Sequence, residues 1–206
     1  MFPSPDGSSP NTGTASIQQN EFTPEERRVL LTLAHQSILS ALEGCEISLA
    51  APSPHLAEMR GAFTTIYHQC QLRGCVGYVF PVASLYRTVA ETARAAAFED
   101  TRFLPVTSHE AADLGVSLSI LSPLTSIRPE EVEIGRHGLL ISQGGHRGLL
   151  LPQVPLEHEW DRITFLEQTC RKAGLPQDAW EKGAVIEAFT AEVFGDRDRL
   201  LNGVSS

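Results

Sequence analysis

A chain of 206 residues with 42% hydrophobic and 20% charged content is long enough to bury a sizeable core, most simply as one compact domain. Its net charge of -9, with 16 scattered Lys and Arg residues, argues against nucleic acid as a partner. No apolar run approaches the roughly 20 residues that cross a bilayer, and the first residues lack a secretory signal pattern, so we expect a cytoplasmic protein that makes no membrane contact.

The cysteines give no sign of a disulfide framework or a structural metal site. They form neither a CxxC pair nor a Cys/His cluster at zinc-like spacing, so we expect free thiols and no bound metal. The glycine-rich segments match neither GxGxxG nor a phosphate-binding loop, and we therefore expect no cofactor. The four cysteines are Cys45, Cys70, Cys75 and Cys170.

The two ends of the chain differ in composition from the rest. Residues 1–21 are rich in Ser, Pro, Gly, Asn and Gln, and burial of so few apolar groups does not offset the entropy lost on ordering. We therefore predict a disordered N-terminal tail over 1–21, a folded domain over 22–197 and a short C-terminal tail over 198–206.

A helix and a hairpin begin the predicted domain. Thr23 and Glu26 form a capping-box pattern at the start of a helix, and apolar residues continue at helical spacing until Gly44. Residues 61–67 and 72–79 are rich in β-branched and aromatic side chains and are separated by a short polar turn. These two segments predict a β-hairpin.

A second helix and a strand follow in the middle of the chain. Ser84 is a suitable N-cap for a helix that reaches Phe98, and the alanines of this helix allow it to lie close to a sheet. Residues 114–121 alternate apolar side chains with serine, which is typical of a strand with one buried face.

The second half contains another hairpin, a helix and a last strand. Strands at 138–142 and 147–151 are joined by a turn with paired glycines, a helix covers 161–173, and 185–194 alternates as one closing strand. This order, dominated by hairpins, predicts an α+β fold with a mostly antiparallel sheet and flanking helices, in one lobe or in two.

The segment LRGCVG at residues 72–77 concentrates the candidate chemistry. Side chains two residues apart on a strand share a face, so we expect Arg73 and Cys75 to emerge together while Leu72 and Val76 face the core. A neighbouring cation favours thiolate over thiol, which makes Cys75 a candidate nucleophile or ligand contact. The planar guanidinium of Arg73 is then a candidate clamp for a small anionic ligand.

Five further residues complete the predicted site. Gly74 and Gly77 are expected to leave the sulfur uncovered and to contact substrate. Asp100 and Arg102 are candidates for orienting the substrate or Arg73, and His137, beside a glycine, is the candidate general base. Structural alternatives remain open: a small strand cysteine, an ion pair for each arginine, and an ordinary solvated histidine.

The same segment also resembles a known family. LRGCVG is similar to the LRGCIG signature of the AMME-syndrome critical-region proteins, called AmmeMemoRadiSam system protein A in prokaryotes, with Val76 in place of the usual Ile. Residues 98–106 resemble the AAxxDxRFxPV block of that family, and further similar blocks follow in order up to 170–176. The resemblance covers about residues 23–194.

This resemblance implies an α+β fold but no settled reaction. The prokaryotic name reflects encoding beside, or fusion with, a Memo-like protein and a radical SAM enzyme, which implies a shared pathway with these partners. One hypothesis is an enzyme or enzyme component in which Cys75 attacks or holds a small molecule and Arg73 binds its anionic part. The alternative is a non-catalytic adaptor or substrate carrier that docks these partners through the LRGCVG surface.

Overall fold

A computed structural model describes residues 21–196 of the chain. Within that range the structure has five helices and eight strands, together with single 3-10 turns at His55–Ala57 and Pro129–Glu131. The helices are α1 (Pro24–Glu43), α2 (Leu85–Phe98), α3 (Ser108–Ala111), α4 (Val154–Glu157) and α5 (Arg162–Lys172). The strands are β1 (Ala62–His68), β2 (Gln71–Tyr78), β3 (Leu114–Leu121), β4 (Thr125–Ser126), β5 (Gly138–Gln143), β6 (His146–Leu150), β7 (Val185–Phe189) and β8 (Ala191–Gly195).

The strands form two antiparallel sheets of four strands each. The first sheet has the order β2-β1-β3-β8, and the second has the order β4-β7-β5-β6. Each sheet packs against its own helices and has its own buried cluster of apolar side chains. The predicted α+β class with antiparallel pairing is therefore confirmed. Of the two arrangements that the sequence left open, one lobe or two, the chain adopts two lobes.

The first lobe is built on the predicted helix and hairpin. At the start of α1, the Glu26 amide donates to the Thr23 hydroxyl and the Thr23 amide donates to the Glu26 carboxylate, so the capping box is confirmed. Gly44 ends the helix with a left-handed φ of 68°. Ser84 is the N-cap of α2, as predicted, but its side chain makes no capping hydrogen bond.

The last predicted strand is the main correction to the fold. Residues 185–194 were expected to form one strand, but β7 pairs within the second sheet and β8 pairs with β3 in the first. The chain passes between sheets at Thr190, whose carbonyl accepts from the Ser122 amide at 2.9 Å and whose amide donates to Ser122 Oγ at 3.0 Å. Two neighbouring ribbons, β3-β4 and β7-β8, thus connect the two sheets.

The predicted tails fall largely outside the described range, which begins at residue 21 and ends at residue 196. Glu21, the last residue of the predicted N-terminal tail, lies inside it, and the Glu21 amide donates to the Glu192 carboxylate at 2.6 Å. The boundary between the tail and the domain stays a prediction, and Glu21 is bound to the folded domain through this hydrogen bond. Between residues 21 and 196, no helix has the length and apolar character needed to cross a membrane.

Candidate functional site

The site is the face of the first sheet that is turned away from the helices. Helix α2 packs against β1 and β2 on one side, where Gly74 is buried beneath it. Because successive side chains of a strand alternate, Cys75 emerges on the opposite, open face. The Thr65 hydroxyl donates a hydrogen bond to the Cys75 sulfur, with Oγ1 3.3 Å from Sγ. The thiol is half-buried and carries a hydroxyl partner on the same face.

A polar row crosses this open face from Cys75. Thr65 on β1 lies directly opposite Cys75 on β2 and directly opposite Ser117 on β3, so the three side chains point the same way. Beyond Ser117 the surface opens into a hollow of about 210 Å³. The open-face residues that line this hollow are Tyr67, Gly115, Ser117, Val193 and Gly195. A ligand held at the sulfur therefore has space to extend across the strands.

Asp100 and Arg102 hold the backbone of Cys75 from the outer edge of β2. The Cys75 amide donates to Asp100 Oδ2 at 2.9 Å, and Arg102 Nη2 donates to the Cys75 carbonyl at 3.4 Å. Arg102 also donates to both oxygens of Asp100, with Nη2 to Oδ2 at 2.6 Å and Nε to Oδ1 at 2.9 Å. The carboxylate side chain is only 7% exposed, whereas that of Arg102 is 57% exposed. The pair thus fixes the cysteine and keeps a solvent-accessible cation beside it.

The charges of this group are strongly coupled. The hydrogen bond from Arg102 and the hydrogen bond from the Cys75 amide hold the pKa of Asp100 well below its usual range. The pKa of Arg102 is raised, first by its hydrogen bond to Asp100 and also by its charge interaction with Asp100. Asp100 therefore stays ionised and cannot serve as a general base near neutral pH.

Arg73 does not occupy the position that alternation predicted. Ile66 pairs with Gly74 but Tyr67 pairs with Leu72, so Arg73 is an extra residue in β2, a β-bulge. Its guanidinium is turned onto the segment after α2, where it donates to Leu104 O at 2.7 Å, Pro105 O at 3.3 Å and both carboxylate oxygens of Glu110.

None of the hydrogen bonds of Arg73 involves Cys75. The guanidinium lowers the pKa of Glu110 to about 2, and the Thr107 amide adds to this effect. The expectation that Arg73 and Cys75 emerge together has no contact to support it, because the Arg73 guanidinium is bound to Glu110 and to the Leu104 and Pro105 carbonyls. The role of Arg73 as an anion clamp stays a prediction.

Two other expectations about the motif also need correction. A Cβ at Gly74 would lie 2.0 Å from the Ala96 carbonyl oxygen, so Gly74 permits the close approach of α2 and does not uncover the sulfur. A Cβ at Gly77 would lie 2.3 Å from Phe63 Cδ1, so an aromatic ring fills that space. Val76 packs against the first core as predicted, but Leu72 is 42% exposed because the bulge moves it to the face of Tyr67.

His137 lies apart from Cys75, immediately before β5 in the second sheet. Its Nδ1 accepts a hydrogen bond from the Glu133 amide at 3.1 Å, and burial lowers its pKa. No hydrogen bond joins His137 to Cys75 within the described part of the chain. Its assignment as a general base for this cysteine stays a prediction without a contact to support it.

One cluster has the spacing of a metal site, but it already contains a cation. Single ligand atoms of Glu21, His55 and Glu58 lie within 4.8 Å of one another. The buried Arg60 guanidinium forms ion pairs with Glu21 and with Glu58, the latter at 2.8 Å. His55 in turn pairs with Glu26 at 2.8 Å. The cluster therefore joins the start of α1 to the loop before β1 as an ion-pair network.

Sequence reasoning missed three residues that define the site's surroundings. Ser117 was signalled by the alternation of residues 114–121, which places serines on the face away from the core. Thr65 carried a similar signal, since the strand alternates around it. Glu110 carried none, because its contact with Arg73 joins residues 37 positions apart.

Comparisons with known proteins agree with this architecture. Residues 31–194 match the AMMECR1 family. A relative from Methanosarcina acetivorans is 39% identical over 188 residues, covering 86% of this chain and 94% of the relative. One from Aquifex aeolicus is 38% identical over 181 residues, covering 83% of this chain and 93% of the relative. The crystal structure of an uncharacterised protein from Pyrococcus horikoshii is 38% identical with a TM-score of 0.64, covering 81% of this chain and 89% of that one.

Proposed function

Because this chain belongs to the AMMECR1 family and its cysteine motif lies on an open sheet face, we propose that Cys75 is a reactive thiol for a small anionic, acyl-bearing molecule. The observation that carries this proposal is the Asp100 bridge, which ties the amide of Cys75 and the exposed guanidinium of Arg102 to one carboxylate. Nucleophile and cation are thereby held in a fixed relation.

Arg102 takes the role that the sequence assigned to Arg73. Its guanidinium is exposed and lies next to the Cys75 carbonyl, whereas the Arg73 guanidinium is occupied by Glu110 and two carbonyl oxygens. A planar guanidinium binds a carboxylate or phosphate group through two hydrogen bonds. The anionic part of the ligand then lies over Arg102, and the remainder extends along Thr65 and Ser117 towards the hollow.

The proposed step is acyl transfer to the cysteine. The sulfur attacks the acyl carbon, a sulfur–carbon bond forms, and the bond between the acyl carbon and its leaving group breaks. The thiol proton departs with the leaving group, since Asp100 is too weak a base to take it. The Thr65 hydroxyl donates a hydrogen bond to the sulfur and helps to position it on the open face. The product is a thioester on Cys75, and the step consumes no oxidant or reductant.

The experiment that tests this proposal compares two alkylating reagents of similar size. Iodoacetate carries a carboxylate and iodoacetamide is neutral, so the ratio of their rates at each thiol reports a nearby cation. We expect this ratio to be higher at Cys75 than at the exposed thiols Cys45 and Cys70, which serve as internal references. Mass spectrometry of tryptic peptides measures each rate separately.

Two arginine variants separate the proposed clamp from the predicted one. Arg102→Gln should lower the ratio at Cys75 by roughly fivefold, the effect of one exposed charge pair. Arg73→Lys should leave the ratio unchanged, because the Arg73 guanidinium points at Glu110. Equal ratios at all three thiols, or an unchanged ratio in Arg102→Gln, would show that Cys75 has no anion site beside it.

The alternative function, an adaptor that docks partner proteins, is supported by the exposed surface around the LRGCVG segment. Large apolar side chains are exposed along β2 and the loop after it: Leu72, Tyr78, Phe80 and Val82. Such a patch is typical of a protein interaction site, and the partners implied by the family name are a radical SAM protein and a Memo-like protein. The adaptor role is favoured if the protein associates with either partner at micromolar concentration, and if this association survives Cys75→Ser but is lost in Val82→Asp. If neither partner associates at micromolar concentration, the result counts against the adaptor role.

A further inference from the structure

The second sheet carries a separate hollow on its own open face. Its volume is about 420 Å³, within the roughly 300–1,000 Å³ typical of small-molecule sites. Strand β5 forms the floor between β6 and β7, and the turn at Gly144 and Gly145 borders one end. Helix α5 lies on the other face of this sheet, where a Cβ at Gly148 would touch the Ala173 backbone. The hollow therefore faces away from the core of its lobe.

Two opposite charges face each other across this hollow. Arg147 on β6 lies opposite Ser142, and Glu187 on β7 lies opposite Leu140. All four residues line the hollow. Between residues 21 and 196, neither the guanidinium of Arg147 nor the carboxylate of Glu187 has a hydrogen bond or an ion pair. The two charges are therefore available to a ligand.

The register explains why these two side chains do not neutralise each other. Arg147 and Glu187 flank β5 on opposite sides and are offset by two residues along it. With strands about 4.8 Å apart and a rise of about 3.4 Å per residue, their Cα atoms are separated by roughly 12 Å. Both side chains can reach inwards, leaving room for one small molecule that makes a hydrogen bond of about 2.8 Å to each.

The surroundings of Arg147 differ from those of Glu187, so the two ends of the hollow suit different groups of a ligand. The Arg147 guanidinium lies over the Phe80 ring, 5.5 Å from its centroid, which holds the planar group in place. The Ser142 hydroxyl lies next to it across the strand pair and adds a donor for an anion. Val185, which is 51% exposed and lies opposite Ser142 on β7, and the buried Leu140 on the floor supply the apolar surface of the hollow.

We infer that this hollow binds a zwitterionic small molecule of the α-amino-acid type, with its carboxylate on Arg147 and its ammonium group on Glu187. The apolar side chain of such a ligand lies over Leu140 and Val185. A molecule with only one of these charges leaves either the guanidinium or the carboxylate unpaired in the complex, so its affinity falls.

The test is an NMR titration of the full chain with three leucine derivatives. L-Leucine has both charges, L-leucinamide lacks the carboxylate, and N-acetyl-L-leucine lacks the ammonium group. L-Leucine should shift the amide signals of Gly144 and Gly145 in a saturable way at concentrations up to about 10 mM. The two derivatives should bind at least roughly tenfold more weakly.

Charge-neutral variants complete the experiment. Arg147→Gln should bind L-leucine as weakly as the original chain binds L-leucinamide, which lacks the carboxylate. Glu187→Gln should bind L-leucine as weakly as the original chain binds N-acetyl-L-leucine, which lacks the ammonium group. Arg128→Gln and Glu130→Gln, at exposed positions outside the hollow, should leave it unchanged, as should Cys75→Ser on the other sheet. The inference is overturned if L-leucine causes no saturable shift, if the three compounds bind equally, or if Glu187→Gln binds L-leucine as tightly as the original chain.

Discussion

Gly74 shows how a single missing side chain sets the position of Cys75. It lies in β2 directly beneath α2, and the carbonyl oxygen of Ala96 occupies the place of a Cβ. Because α2 approaches the backbone of β2 closely at Gly74, the face of β2 that bears this glycine is closed and the opposite face is open. The half-buried thiol of Cys75 lies on the face away from α2 because its neighbour Gly74 is buried against that helix.

A substitution at this glycine should therefore disturb the fold. Gly74→Ala places a methyl group 2.0 Å from a backbone oxygen, which the helix can relieve only by moving, and we expect a loss of about 2 kcal/mol in the free energy of unfolding. Urea-induced unfolding followed by circular dichroism measures this change.

The matched control is Gly115→Ala on the same sheet. Apart from Gly115 itself and its two chain neighbours, no residue has an atom within 4 Å of the Cβ position, so the free energy of unfolding should change by less than about 0.5 kcal/mol. Equal losses in the two variants would contradict the packing role of Gly74.

Strand β2 is an edge strand, and its outer side is protected by side chains in place of another strand. At Cys75 the Asp100 carboxylate accepts the amide hydrogen and Arg102 donates to the carbonyl, which are the two hydrogen bonds that a neighbouring strand makes. An unprotected edge is a template for aggregation. The Asp100–Arg102 pair thus closes the strand edge at Cys75, while the Cys75 side chain stays on the open face of the sheet.

Hydrogen exchange tests this protection. In Asp100→Ala the Cys75 amide loses its acceptor, so its exchange rate should rise by at least roughly tenfold. In Asp100→Asn an amide oxygen remains as an acceptor, and the increase should be smaller. Unchanged protection of the Cys75 amide in Asp100→Ala would mean that another group satisfies this donor.

Most elements of this fold could be predicted from local patterns, and the failures share one cause. The capping box at Thr23 and the alternation of residues 114–121 involve neighbours in sequence. The β-bulge at Arg73 and the change of sheet at Thr190 depend on pairing with residues distant in sequence. The apolar and polar side chains keep alternating on both sides of each position, so the sequence pattern does not reveal either irregularity. The expectation that Arg73 emerges beside Cys75 therefore finds no support in the contacts of Arg73, whereas Arg102, also a predicted candidate, does contact the Cys75 carbonyl.

The whole molecule has two cores that belong to different sheets. Leu118 is fully buried in the first core, and Phe165 is fully buried in the second. The sheets are connected through the two ribbons that meet at Ser122 and Thr190. Local opening of one lobe therefore need not disrupt the packing of the other.

Two core substitutions test this independence. Phe165→Ala should destabilise the second lobe by about 4 kcal/mol and accelerate amide exchange in β5 and β6 more than in β1 and β3. Leu118→Ala should produce the reverse pattern. If either variant accelerates exchange equally in both sheets, the two lobes open as one cooperative unit.

The position of β8 has a consequence for synthesis. Residues 191–195 supply the fourth strand of the first sheet, yet the ribosome makes them after the entire second lobe. Until they emerge, the nascent chain presents the unpaired edge of β3, and an unpaired strand edge is prone to aggregation. The sheet that bears the thiol is thus begun early in translation and completed only near its end.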